Sequence, residues 1–196
     1  MRISRLSVLI GALLVASWGV AGAQEAAKPA RQYVGVKKCK TCHNSAKSGA
    51  QFAKWSESKH SHAYEVLATP KAKEIATKDG IDDPQKSDKC LPCHVTGKND
   101  PAAQFATTFA DSDGVQCETC HGAGSDYMKM STMKGLKDGT IKPEDVGLVM
   151  PTKDTCAKCH NEKGTGGKLV DWPADSTKIA HGIPADYKPA GSEGAK

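Results

Sequence analysis

The chain has 196 residues, with eight Cys, seven His, 38% apolar and 5% aromatic residues, and a formal net charge of +5. Beyond a leader-like first 23 residues, Leu, Ile, Val and Phe together make up 21 of 173 residues, about 12%. A chain that poor in large apolar side chains does not offset its conformational entropy with an ordinary core, so a conventional enzyme domain is excluded; disorder, or a core supplied by disulfides, metals or a large cofactor, remains.

The predicted segments follow in chain order. Residues 1–23 read as a signal peptide: Arg2 and Arg5, an apolar run from Leu6 to Val20, then Ala21-Gly22-Ala23. That run is shorter than a typical membrane span, and with no Cys at the cleavage point no lipid anchor is expected. The expected product is exported and soluble, periplasmic or extracellular, with no membrane span after cleavage. Residues 24–32 read as a flexible tail, 33–184 as one domain and 185–196 as a disordered tail. Within the domain the pattern predicts helices at 45–57 and 58–68, then one over 71–78 with Thr69 as N-cap and Pro70 opening it. An irregular excursion over 97–113 carries a hairpin at 103–110. Further helices are predicted at 143–148, 153–161 and 173–180, with a flexible Gly-rich loop at 164–167.

All eight Cys fall in four copies of one pattern: Cys39-Lys40-Thr41-Cys42-His43, Cys90-Leu91-Pro92-Cys93-His94, Cys117-Glu118-Thr119-Cys120-His121 and Cys156-Ala157-Lys158-Cys159-His160. At this composition one chance copy is expected in about 90 such chains. C-x-x-C-H is the attachment signature of c-type haem. Two thiols add across the two vinyl groups of the porphyrin, and the adjacent imidazole is the proximal iron ligand. A disulfide framework gives no reason for a His after every second Cys. Zinc is poorly served by His directly beside Cys. Four covalent haems are therefore expected, with His43, His94, His121 and His160 as proximal ligands. The intervals between motifs are unequal, so the haems are expected to pack on one another inside one domain and not in separate modules.

Four irons have eight axial positions, and only His60, His62 and His181 remain after the proximal four. At least one haem therefore lacks a second His. On a helix, residues two apart point about 200° apart, so His60 and His62 cannot serve one iron. His60 shares a face with Ala63, Tyr64 and Leu67 and is the favoured distal ligand; His62 faces nearer Glu65 and Val66. His181 ends a short helical segment and is a distal candidate. Met128, Met130 and Met133 cluster after the third motif. A thioether from one of them is a candidate sixth ligand, as, more weakly, is Met150.

The sequence resembles the tetrahaem cytochrome c-554 family. The residues that carry the likeness are Val36–His43, Trp55–His60, Cys90–Val95 and Gly114–Gly124, together with the fourth motif. The resemblance implies mainly α structure with extensive loops around closely packed haem pairs, and one haem without a sixth ligand. It implies electron shuttling between redox partners, periplasmic or membrane-associated, and supports His60 as a distal ligand. One departure stands out: the family prototype has a distal His shortly after its third motif, where this chain is Met-rich. The expected function is an electron carrier, not an enzyme, acting as a monomer. The alternatives are reduction of nitrite, nitric oxide or hydroxylamine at an open iron, or a subunit of an extracellular cytochrome wire.

Overall fold

The structure, a computed structural model, describes residues 30–163, 170–172, 174–184 and Tyr187. Its helices are short and joined by turns: α1 Val36–His43, α2 Gln51–Ser56, α3 Pro70–Lys78, α4 Leu91–His94, α5 Cys117–His121, α6 Met130–Lys137, α7 Pro143–Val146, α8 Lys153–Ala157 and α9 Ala174–Ile179. The sheet among the described residues is one parallel pair, β1 Gln32–Tyr33 with β2 Gln104–Phe105, in the register Gln32 to Gln104 and Tyr33 to Phe105. The chain is mainly α with extensive loops, as the resemblance implied. The stretch read as a signal peptide, the 164–167 loop and all of the 185–196 tail except Tyr187 lie outside the described residues. So does most of the 24–32 tail, but Arg31 and Gln32 are tied down. Arg31 Nε pairs with Asp126 at 3.1 Å, and the Gln32 N–H donates to Ser125 Oγ.

Four local expectations need correction. The stretch 45–57 is not one helix: a 3-10 turn, Ala46–Ser48, ends at Gly49 in the left-handed region before α2 begins. No α-helix forms over 58–68, where turns lead into a 3-10 segment, Glu65–Ala68. The reason is local. Ser58 Oγ donates back to the Trp55 carbonyl and Ser61 Oγ to the Ser56 and Ser58 carbonyls, which compete with a helical ladder. The 103–110 hairpin does not form; Gln104–Phe105 pairs with the N-terminal strand instead, and Phe105 stacks on Tyr33 at 5.6 Å. Helices α7, α8 and α9 are each shorter than predicted. The α3 start is as read: Thr69 accepts the Ala72 N–H and Pro70 takes the first position.

The buried apolar set is small: Val34, Val36, Leu67, Ala76, Val95, Val115, Tyr127 and Leu136. At its centre are three polar side chains, Thr96, Gln116 and Glu118, each at most 1% exposed. Glu118 accepts the Val34 N–H at 2.8 Å, the Gly35 N–H at 2.7 Å and the Gly124 N–H at 2.7 Å; Gln116 accepts the Val36 N–H at 2.6 Å. Thr96 Oγ1 accepts the Gln116 N–H and contacts Thr119 Oγ1, both at 2.7 Å. This polar clasp fixes the start of α1 against α5 and so brings the first and third motifs together.

Candidate functional site

Each C-x-x-C-H lies on or at the end of a helical turn: α1, α4, α5 and α8. Positions i, i+3 and i+4 share one helix face, so a single turn presents both thiols and the imidazole together. None of the eight Cys is paired in a disulfide, and Cys42 alone among them is exposed. The motifs approach one another through their sulfurs. The Cys39 thiol hydrogen-bonds Cys117, which together with burial drives Cys39 strongly upward while lowering Cys117. Burial and the neighbouring Cys93 push Cys159 up to about 12. Burial, then Cys156 and Cys117, push Cys120 up to about 11. The first motif thus meets the third, the second meets the fourth, and the third joins the two pairs. Among the described residues no three His, Cys, Asp or Glu side chains converge as a zinc tetrahedron would need.

Two pairs of imidazoles face each other. Two imidazoles sharing one metal, each about 2 Å from it, hold their ring centres about 6 Å apart. His60 and His160 have ring centres 6.0 Å apart at 72°, and His121 and His181 are 5.9 Å apart at 45°. The backbone also orients the proximal candidates. His94 Nδ1 donates to the Ala63 carbonyl at 2.5 Å and His121 Nδ1 to the Val149 carbonyl at 3.0 Å, which leaves Nε2 of each ring for a metal. Burial lowers the pKa of His43, His60 and His121 and so favours the neutral, ligating form; the neighbouring His160 lowers His60 further. The residues present therefore fit covalent haem with imidazole ligation.

Position 60 is held by segments far away in sequence. The Val115 N–H donates to the His60 carbonyl at 3.0 Å, and Trp55 Nε1 donates to the Val115 carbonyl at 2.8 Å. Gly114, at φ 68°, lets this approach happen: a Cβ there would sit 2.8 Å from the His60 carbonyl oxygen. His181 is exposed, just beyond α9. The segment around it is held by Gln51, whose Nε2 donates to the Gly182 carbonyl at 3.1 Å. His62 faces no second imidazole; it is exposed and lies 3.0 Å from Glu65 Oε2. Met128, Met130 and Met150 are exposed, and Met133 is half-buried. Sequence reasoning missed Glu118, Gln116 and Gln51. Glu118 lies in the unconstrained gap of a C-x-x-C-H, and nothing in the spacing marks it.

A family model described as cytochrome c554 and c-prime matches residues 38–122. Cytochrome c-554 of Nitrosomonas europaea is 27% identical over 181 residues, covering 86% of this chain and 74% of that protein. The solved structure of the reduced state of cytochrome c554 from Nitrosomonas europaea is 24% identical, covers 72% of this chain and 70% of its own, and superposes with a TM-score of 0.49.

Proposed function

From the cytochrome c-554 family assignment that the family model and the relative support as the premise, we propose that this chain is an exported tetrahaem c-type cytochrome that carries electrons between redox partners. The eight cysteines of the four motifs would hold the haems as thioethers, and His43, His94, His121 and His160 would ligate their irons, with His60 facing His160 and His181 facing His121 as second imidazoles. The observation that carries this reading is the pair of facing imidazoles at the separation one shared metal requires. Haem supplies reversible one-electron exchange at iron. The protein's part is to fix the tautomers of His94 and His121 through the Ala63 and Val149 carbonyls and to hold the motifs in contact. Among the described residues no helix is long and apolar enough to cross a membrane.

This pairing leaves the irons of the first and second motifs without a second His, one more than counting alone requires. His62 is the one imidazole left over, and it is turned to Glu65. Low-temperature EPR of the oxidised, haem-loaded protein tests the assignment. Two bis-imidazole low-spin centres are expected, and His60→Ala and His181→Ala should each convert a different one to high spin. If either variant leaves the spectrum unchanged, that ligand assignment is wrong.

A further inference from the structure

Charge is unevenly divided along this chain. From Gln24 to Ser56 there are seven Lys and Arg and a single acid, Glu25; from Glu57 to the end there are 18 Lys and Arg against 21 acids. Within the first stretch Arg31 is bound to Asp126. The other described cations, Lys37, Lys38, Lys40, Lys47 and Lys54, all lie between the start of α1 and the end of α2, and all five are exposed. Among the described residues none of the five has an ion-pair partner. Lys40 Nζ instead lies over the Phe52 ring, 4.6 Å from its centre, and ties the two helices together. Beyond Ser56 acids are interspersed and several lysines are paired: Lys71 and Lys78 share Glu74, Lys86 pairs with Asp83, Lys98 with Asp111 and Lys178 with Asp175. What sets 36–56 apart is that it holds five exposed lysines and no Asp or Glu. The same stretch carries the first motif, Cys39 to His43.

We propose that the helical unit 36–56 is the face on which an acidic electron-transfer protein docks, and that electrons pass through the first motif. This rests on the electron-carrier reading above. Net charge cannot provide the attraction. Four oxidised haems with ionised propionates would bring the mature chain's formal +3 close to −1, so only a localised positive face can draw an acidic partner. Nucleic acid is a poor occupant, because the only arginine nearby is already paired and neither aromatic within 36–56, Phe52 nor Trp55, is exposed. An anionic membrane is also a poor occupant: none of the exposed large apolar side chains lies between 36 and 56, so nothing there would insert into a bilayer.

The test is stopped-flow reduction of the haem-loaded protein by flavodoxin hydroquinone, an acidic electron-transfer protein, at several salt concentrations. The wild-type rate should fall as salt rises. K37E/K38E/K40E should be slower by about tenfold or more at low salt, with the salt trend reversed. K71E/K78E on α3, as the control, should change less than about twofold. If the charge-reversed variant loads haem poorly, K37Q/K38Q/K40Q is read in its place, with a smaller loss in the same direction. Wild-type rates in the variant, an equal loss in the control, or binding of the wild type to phosphatidylglycerol vesicles that the variant lacks, would each overturn the proposal. Duroquinol, a neutral reductant, separates the two readings. It should reduce wild type and variant alike, and failure to reduce even the wild type would count against electron carriage itself.

Discussion

Glu118 spends a buried carboxylate on three backbone N–H groups, from Val34, Gly35 and Gly124, with no cation in the cluster. Burial pushes its pKa above the ordinary carboxylate value, and the three donors oppose that without cancelling it. A carboxyl raised in this way contributes stability that is fully present below its unfolded pKa of about 4.5 and is lost as pH rises through the folded value. Denaturant unfolding of the haem-loaded protein across this range should show stability declining with pH just above the carboxylate range. Glu118→Gln should remove that slope. It should also cost about 1–3 kcal/mol, because an amide NH2 would face one of the three donors. A variant as stable as the wild type, with the same pH profile, would refute this role. At this scale the sequence reveals what spacing constrains, the thiols and their imidazoles. It does not reveal Glu118, whose partners lie 83 and 84 residues upstream.

Among the elements, the contact between the loop before α2 and the loop after α9 matters most to the site. Gly49 has φ 106°, and a Cβ there would lie 2.2 Å from the Gly182 carbonyl oxygen, next to His181. Gly49→Ala should therefore push the 182 segment away, costing about 1 kcal/mol or more in stability. It should also move His181 out of position, seen as one low-spin haem signal lost from the EPR spectrum. An unchanged spectrum would show that the latch does not hold that imidazole. Elements with a local stop or start signal were legible, as Thr69-Pro70 shows for α3. The β1–β2 pair was not, since two-residue strands separated by 72 positions have no periodicity to read. The 58–68 stretch has helical spacing of its apolar residues, yet its serines bond the backbone and hold it in turns.

For the whole molecule, the eight apolar side chains buried among the described residues are far too few to hold a chain of this length. Composition alone had left disorder or an imported core as the options, and the four motifs name the import. Protein made without haem attachment should accordingly show a coil-like far-UV circular dichroism spectrum and no cooperative thermal transition, while the loaded form melts sharply. Cooperative unfolding of the haem-free chain would contradict this account. The general architecture was thus legible from motif count and composition. The pairing of the first motif with the third was not, because it is set by hydrogen bonds between residues 80 or more apart, nor was that of the second with the fourth, where Cys159 Sγ meets the Pro92 carbonyl 67 positions away.

The clasp also orders assembly in time. Val34, Gly35 and Val36 find their acceptors only at Gln116 and Glu118, and synthesis runs from the N-terminus. The first motif therefore stays unclasped until the third has emerged. Its cysteines remain accessible through that interval, and the arrival of the third motif closes it.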